Sequence, residues 1–349
     1  FEVMEPRRQM SATPVHVGVV YIEEDSGADL HGDTFAVQFE GGAPGTQITE
    51  LTINTDQNQN GYSVGDLIFD TVKGNAGADE AFPFTVISQT GIEFVSADVQ
   101  DGGTRIKLTL RGFEAGEKLV FSIDVDEIQQ LDNPPSTPVT AADWQHFNEG
   151  VDPIASGVEF QGSQLSATVT APNYFPVSAG GEFRNAYDPL FVGTNLLNTT
   201  GTSVTNGGLP ADNEAGKRDR STGVLVPLQQ IPQRVEICGA VYVDRNQNGR
   251  FDSTENGLGG VTVKVIPVTT IELQESLILT TATDGSYCGR DLLPGTYRLE
   301  QVQPPGYFDG VDAAGTVGGI VRGRAINPGD SIVDITLSGG DKSRDNWFG

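Results

Sequence analysis

A short polar stretch around residue 250 carries the residues best suited to holding a metal ion. Its oxygen-bearing side chains stand at the first, third, fifth, ninth and twelfth positions: Asp244, Asn246, Asn248, Asp252 and Glu255. Gly249 stands sixth, where a sharp turn is needed, and Arg250 stands seventh, where a backbone carbonyl can serve as a ligand. This spacing lets one segment surround a hard cation with about six or seven oxygens. We therefore predict a calcium site at residues 244–255.

The segments on either side of this loop read as strands. Residues 240–243 and 261–265 are rich in β-branched side chains and alternate in polarity. Calcium loops of this spacing that act as sensors lie between helices. We therefore interpret residues 244–255 as a fixed clamp within a sheet domain.

The first half of the same pattern occurs earlier in the chain, at Asp56, Asn58, Asn60, Gly61 and Tyr62. The ninth and twelfth positions are Val64 and Leu67, which lack ligand oxygens. Calcium binding here would require another acid, such as Asp66 or Asp70. The alternative is an ordinary Asn-Gly turn.

Two pairs of aspartates are further candidates for metal binding. Asp124 and Asp126 end a strand-like run, and the alternation of strand side chains places both on one face. A solvated sheet edge is the alternative for this pair. Asp309 and Asp312 stand in a loop, where they could add ligands or a second ion, or remain solvated.

The chain has two cysteines, Cys238 and Cys288, both in strand-like runs. In a secreted protein we expect them to pair, closing a loop of about fifty residues. Two buried free thiols are the alternative. A zinc-type site is not favoured, because further soft ligands are absent nearby.

The composition predicts an all-β protein. The 349 residues include 44 glycines and 19 prolines. Short apolar runs recur along the chain and are separated by residues typical of turns. We predict tandem β-sandwich domains: a larger, jelly-roll-like sandwich at residues 15–228 and a smaller, immunoglobulin-like one at residues 234–349. Residues 229–233 would be the linker, and residues 1–14 a separate segment that could contact another subunit. Residues 157–162 and 165–169 are predicted to be late strands of the larger sandwich.

The charge is strongly acidic, with 21 Lys and Arg against 47 Asp and Glu, a net of -26. Such a surface repels nucleic acid and anionic membranes, and it favours divalent cations. No apolar run is long enough to span a bilayer. We therefore expect no nucleic-acid partner and no membrane span.

Nothing in the sequence assembles an enzyme. The three histidines, His16, His31 and His146, show no metal-ligand spacing, and no glycine-rich phosphate loop opens a helix. Carboxylates are abundant enough for a glycosidase pair, but abundance does not establish geometry. We expect no catalytic residues.

The C-terminal region carries several ordered motifs: Gly-Ala-Val-Tyr-Val-Asp at 239–244, Asn-Gly-Leu-Gly-Gly-Val at 256–261, Thr-Asp-Gly-Ser-Tyr at 283–287, Leu-Pro-Gly-Thr-Tyr at 293–297 and Pro-Gly-Tyr at 305–307. Together with the loop at 244–255, they resemble an SdrD B-type, Cna-B-like surface-protein repeat. The resemblance implies a calcium-binding sandwich. Relatives in the wider class form Lys–Asn isopeptide bonds, but residues 234–238 contain no lysine. We therefore expect calcium and a disulfide to rigidify this module.

Two features of the N-terminal region resemble planctomycete exported surface proteins. Met-Glu-Pro-Arg at residues 4–7 is similar to a Leu-Glu-Pro-Arg segment near their N termini. A strand ending in paired aspartates, followed later by Ser-Gly-Val-Glu-Phe-Gln-Gly at 156–162, resembles β-sandwich modules repeated in such extracellular proteins. The resemblance implies no particular chemical activity.

These features predict an extracellular, calcium-stabilised structural or adhesive protein of the cell surface, such as a subunit of a filament, stalk or surface layer. Its partners would be further copies of itself, or other surface proteins and glycans. The alternative is a carbohydrate-binding module of a secreted scaffold. Its aromatic platform would have to come from Tyr21, Tyr62, Tyr174 and Phe175, because Trp144 and Trp347 are far apart in sequence.

Overall fold

The computed structural model describes five stretches of the chain: residues 14–23, 29–78, 80–130, 150–185 and 220–349. These residues separate into two compact units. The larger sandwich contains the described residues up to 171 and those from 176 to 230. The C-terminal sandwich contains residues 172–175 and 231–349. The Met-Glu-Pro-Arg segment and Trp144 lie outside the described residues.

The first sheet of the larger sandwich holds eight described strands: β1 (Val15–Ile22), β2 (Asp33–Glu40), β4 (Leu67–Asp70), β5 (Thr85–Thr90), β8 (Lys118–Ile128), β9 (Val151–Asp152), β12 (Arg184–Asn185) and β13 (Ser221–Leu228). They pair in the order β12, β13, β1, β2, β8, β4, and β5 and β9 also pair with β8. The long strand β8 therefore joins three short strands to the main sheet.

The second sheet holds five described strands: β3 (Gln47–Asn54), β6 (Phe94–Val99), β7 (Arg105–Glu114), β10 (Gln164–Thr170) and β11 (Val177–Glu182). They pair in the order β11, β10, β3, β7, β6. Every pairing in both sheets is antiparallel.

One apolar core lies between these sheets. Phe35 of β2 is fully buried, and its ring stacks on that of Phe121 of β8 with centroids 4.9 Å apart. Leu51 of β3 and Leu108 of β7 enter the same core from the other sheet. Burying one such side chain stabilises the fold by about 1.5–3 kcal/mol. The prediction of a β-sandwich is confirmed.

The strand predicted at residues 157–162 is wrong. Residues Gly157–Phe160 form a single helical turn, α1, in which Glu159 and Ser156 hydrogen-bond each other's backbone N–H. This capping box satisfies backbone donors that a strand would pair with a neighbour. The ring of Phe160 stacks on Tyr21 at 4.0 Å, so tertiary packing also holds the turn.

The C-terminal sandwich has two five-stranded sheets among its described residues. One contains β14 (Val235–Val241), β17 (Ser286–Leu292), β19 (Thr316–Val317), β20 (Ile320–Val321) and β23 (Lys342–Phe348). The other contains β15 (Thr262–Thr270), β16 (Leu277–Thr280), β18 (Gly295–Gln301), β21 (Arg324–Ile326) and β22 (Ser331–Leu337). Strand β14 pairs with β17 antiparallel and with β23 parallel. Tyr287, Tyr297 and Leu299 are buried in the core between the sheets.

A disulfide joins the first strand of this sandwich to its neighbour. Cys238 of β14 lies opposite Cys288 of β17 in the strand register, and the two are bonded. The predicted disulfide is confirmed, and the alternative of two free thiols is wrong. The two cysteines are 50 residues apart in the sequence. Cys238 lies shortly before the loop at 244–255, and Cys288 lies after it.

Candidate metal sites

The loop at residues 244–255 is anchored at both ends by the C-terminal sandwich. It follows β14, and the backbone N–H of Val243 donates to the carbonyl of Asn256 across its base (3.0 Å). Inside the loop, Gln247 and Gly249 have φ of 58° and 68°. The left-handed backbone at these two positions lets the chain curl back over its own side chains.

Backbone N–H groups fix the first three predicted ligand side chains. Asp244 accepts from the N–H of Asn248 (3.2 Å) and of Gly249 (2.9 Å). Oδ1 of Asn246 accepts from the N–H of Asn248 (3.1 Å), and Oδ1 of Asn248 accepts from that of Arg250 (2.7 Å). The loop therefore orients these oxygens through its own backbone.

Glu255, at the twelfth position, closes the loop. Its Oε1 accepts from the N–H of Arg245 (2.9 Å), and its Oε2 accepts from the N–H of Asp252 (3.1 Å). Both carboxylate oxygens are thus engaged, and only 9% of the residue is exposed. A carboxylate held in this way is preorganised to offer two oxygens to one cation.

Asp252 is held differently, by side-chain amides. Its Oδ2 accepts from Nδ2 of Asn246 (2.9 Å) and of Asn248 (2.8 Å), and these bonds lower the pKa of its carboxyl. Both amides would have to present oxygen instead of nitrogen to a shared cation. All predicted ligand atoms are hard oxygens, so the donor set fits calcium.

The carboxylate oxygens of the loop do not all lie within 4.8 Å of one another. Among the described residues, the one group of three acidic, histidine or cysteine side chains with ligand atoms within 4.8 Å is Glu236, Cys238 and Cys288. That group cannot hold a metal through its sulfurs, because they are joined in the disulfide. Instead the guanidinium of Arg344 contacts Glu236 and the sulfur of Cys238, and it lowers the pKa of Glu236.

Tyr242 is a buried neighbour of the loop whose place there the ligand spacing does not predict. It is 1% exposed, its ring stacks on Phe251 at 4.9 Å, and its hydroxyl has no hydrogen-bond partner among the described residues. Burial raises its pKa, and the nearby Asp244 and Glu255 raise it further. Its place two residues before Asp244 could have signalled this role, since side chains alternate along a strand and residues two apart share a face.

The fold brings Asp312 close to the loop at 244–255. A Cβ placed on Gly249 would lie 2.9 Å from Cγ1 of Val311, so this segment packs against the loop. Oδ1 of Asp312 accepts from the N–H of Gly349 (3.3 Å), whereas Oδ2 is buried without a partner among the described residues. Burial raises the pKa of Asp312 to about 8. The solvated alternative is therefore wrong for Asp312, but Asp309 is exposed.

The loop at residues 56–66 repeats the hydrogen bonds of the first loop. Asp56 accepts from the N–H of Asn60 (3.1 Å) and of Gly61 (2.9 Å), as Asp244 does from the fifth and sixth positions. Asp66 accepts from the N–H of Gln57 (3.0 Å) and of Ser63 (2.7 Å). Asp66 thus occupies the role of Glu255, one residue earlier in a shorter loop.

The other predicted ligands of this loop differ in exposure. Asn58 and Asn60 are exposed, whereas Tyr62 is half-buried, and its hydroxyl donates to the carbonyl of Gly102 (3.0 Å). Asp66 is fully buried, and its burial raises the pKa of its carboxyl against the lowering effect of its hydrogen bonds.

Asp124 and Asp126 are both buried, so the alternative of a solvated sheet edge is wrong. The register of β4 and β8 adds Asp70, which lies directly opposite Asp124. Burial raises the pKa values of Asp70, Asp124 and Asp126 to about 9, 10 and 8, respectively. Desolvation is the largest cause for each, and neighbouring acids add to it.

The aromatic residues proposed as a glycan platform do not lie together on the surface. Tyr21 is fully buried and Tyr174 is 4% exposed, whereas Phe175 is 51% exposed. The hydroxyl of Tyr21 donates to the carbonyl of Ala155 in the core. The carbohydrate-binding alternative therefore loses two of its four expected aromatics.

No helix among the described residues is long and apolar enough to cross a bilayer.

Comparison with solved structures gives several bacterial pilins of low identity. They include the major pilin subunit of Bacillus cereus, 8% identical with a TM-score of 0.21, covering 95% of this chain and 70% of the pilin. The major pilin SpaD of Corynebacterium diphtheriae is 9% identical with a TM-score of 0.21, covering 92% of this chain and 59% of that one. The pilus 2b backbone protein of group B streptococcus is 11% identical with a TM-score of 0.21, covering 93% and 96%. TM-scores this low carry no argument about function.

Comparison with curated protein sequences gives no match. A family model described as the SdrD B-like domain matches residues 235–320, which include β14, the loop at 244–255 and the disulfide. Strand β23, which pairs with β14, extends the same sandwich to Phe348. Over residues 235–320 the C-terminal sandwich is therefore an SdrD B-like domain, as its motifs predicted.

Proposed function

We propose that this chain is an extracellular structural or adhesive surface protein whose C-terminal sandwich is stiffened by calcium. The observation that carries the proposal is the geometry of the loop at 244–255. Within an SdrD B-like domain, its own backbone N–H groups orient the oxygens of Asp244 and Glu255 at the two ends of the loop.

A bound calcium ion would supply positive charge among the three carboxylates of this loop. Asp244, Asp252 and Glu255 would hold it together with the side-chain oxygens of Asn246 and Asn248 and the carbonyl of Arg250. Because the loop is anchored at Val243 and Asn256, holding its centre also fixes the end of β14. The loop then serves rigidity and not signalling.

The acidic charge supports a structural role at the cell exterior. A net charge of -26 makes copies of the chain repel one another, and millimolar divalent cations reduce that repulsion. We infer self-association into a filament, stalk or surface layer, or contact with other surface proteins and glycans. No catalytic role is proposed.

Electron microscopy and thermal melting of the full chain, with calcium and with chelator, test this function. We expect ordered assemblies and a higher melting temperature in calcium, and loss of both in chelator. The variant Glu255→Gln in calcium should melt like the chelated protein in its C-terminal sandwich only. Compact monomers of unchanged stability under both conditions would contradict the proposal.

A further inference from the structure

Three aspartates share one face of the β4–β8 strand pair in the larger sandwich. Asp70 lies directly opposite Asp124, and Asp126 lies two residues further along β8 opposite Ile68. Since side chains alternate along a strand, all three project from the same face. Their neighbours on the other face, Phe69 and Val125, belong to the main apolar core. The aspartates therefore point away from that core.

This second face is nevertheless closed to solvent. Asp70 and Asp126 are 0% exposed and Asp124 is 2% exposed. The segment after β4 covers them, and the N–H of Ala78 donates to Oδ2 of Asp126 (2.7 Å). A Cβ placed on Gly77 would overlap Oδ2 of both Asp70 and Asp126. These two carboxylates thus converge beneath Gly77.

The three carboxylates lack enough partners for their charge. Oδ2 of Asp70, Oδ2 of Asp124 and Oδ1 of Asp126 are buried with no hydrogen-bond partner among the described residues. No salt bridge in the described part of the chain reaches any of the three. Burying unpaired carboxylates costs several kcal/mol each, about the scale of a domain's whole stability. The cluster therefore requires either protons or a cation.

We propose that Asp70, Asp124 and Asp126 bind one hard divalent cation, calcium, inside the larger sandwich. The ligand atoms that these three described residues offer are all carboxylate oxygens, and oxygen ligands of this kind select calcium over softer metals. The choice of calcium rests on the proposed extracellular function, but the site uses none of the residues of the loop at 244–255.

The three carboxylates do not all approach within 4.8 Å of one another. Because Asp70 and Asp126 already converge at Gly77, the side chain of Asp124 must turn toward them to complete the set. The rigid register of β4 and β8 keeps its Cβ on the correct face for that rotation.

Calcium stoichiometry of the full chain tests the proposal. After treatment with chelator and dialysis, wild type, Asp126→Asn, Asp70→Asn and Glu255→Gln are titrated with calcium chloride in a calorimeter. We expect Asp126→Asn and Asp70→Asn each to bind one calcium fewer than wild type. Exposed Asp98→Asn, on β6, is the matched control and should bind as wild type does.

The two sites can fail separately. If Glu255→Gln retains every calcium while Asp126→Asn loses one, the proposed function fails at its loop and the buried site stands. If both cluster variants bind as many ions as wild type, the buried site is overturned. Melting in chelator provides a second readout, since Asp126→Asn removes a buried carboxyl that must be neutralised on folding and should raise the melting temperature there. Asp70→Asn covers the case in which Asp126→Asn does not fold.

Discussion

The loop at 244–255 and the aspartates of the β4–β8 pair hold their carboxylates in opposite ways. In the C-terminal sandwich, Asp244 and Glu255 lie in a surface loop whose backbone N–H groups already satisfy them. In the larger sandwich, Asp70 and Asp126 are buried, and each retains an oxygen without a partner among the described residues.

Calcium would therefore act differently at the two proposed sites. A loop that satisfies its own carboxylates can keep its shape without metal, so the ion adds stiffness to an existing frame. A buried cluster without partners costs free energy unless it is neutralised. The C-terminal sandwich, also tied by the Cys238–Cys288 bond, should therefore tolerate loss of calcium better than the larger sandwich.

The largest expected effect comes from removing the disulfide of the C-terminal sandwich. Replacing Cys238 and Cys288 by alanine removes a cross-link that spans 50 residues. We expect the C-terminal sandwich to lose roughly 4 kcal/mol of unfolding free energy, since the unfolded chain gains loop entropy. Calorimetry of the full chain should show one transition moving down. If the transition of the larger sandwich moved instead, the division of roles would be wrong.

Removal of calcium should mainly destabilise the larger sandwich. With free calcium at about 100 times the dissociation constant, binding stabilises the folded state by about 2.7 kcal/mol. We expect chelator to lower the transition of the larger sandwich more than that of the C-terminal one. Calorimetric scans in calcium and in chelator measure this. Equal shifts in the two transitions would remove the distinction.

In the metal-free protein, pH should change the stability of the larger sandwich. Asp70, Asp124 and Asp126 have pKa values raised to about 9, 10 and 8, above those of an unfolded chain. Acids also face them from neighbouring segments: Glu23, Asp29, Asp101 and Asp152. The folded state therefore holds extra protons, and its stability is present at low pH and is lost as pH rises toward 8–10.

The free energy of unfolding should fall by about 1.4 kcal/mol per pH unit for each extra proton that the folded state binds. Urea unfolding in chelator between pH 5 and about 9 measures it. Asp124→Asn should flatten the curve, and Asp98→Asn should not. A stability that rises with pH over this range would show that the cluster is not buried as described.

A smaller effect is expected from Glu255, the carboxylate that closes the loop at 244–255. Glu255→Gln keeps the shape of the side chain but removes its charge and one acceptor for the N–H groups of Arg245 and Asp252. We expect a loss of about 1 kcal/mol in chelator and a larger loss in calcium. The control Glu275→Gln changes an exposed side chain and should match wild type. Equal stability of both variants in calcium would argue against the loop as a calcium site.

Local spacing predicted much of the C-terminal sandwich and its loop. The Asp-x-Asn-x-Asn-Gly pattern is self-contained, because its hydrogen bonds run between residues at most a few positions apart, as from Gly249 to Asp244. The disulfide followed from two strand-borne cysteines in a region with no other soft ligands. The helical turn at 157–160 had a local signal, Ser156 with Glu159, which the strand reading overlooked.

Contacts that depend on the pairing of distant strands could not be predicted from the sequence. Asp70 meets Asp124 because β4 pairs with β8, which starts 48 residues after β4 ends. Nothing in the spacing of either strand specifies that partner. Asp312 reaches the loop at 244–255 through Val311 and Gly249 only because the sandwich closes. Asp66 closes its loop one residue earlier than the twelve-residue pattern expects.

Hydrogen exchange of the full chain, measured by mass spectrometry with calcium and with chelator, tests the central claim most directly. The account predicts that calcium slows exchange in two separate places: the loop at 244–255, and the segments around 70–78 and 124–126. Protection elsewhere in the C-terminal sandwich should change little, since the disulfide and the strand ladder persist. Exchange that is the same with and without calcium in both places would contradict the account.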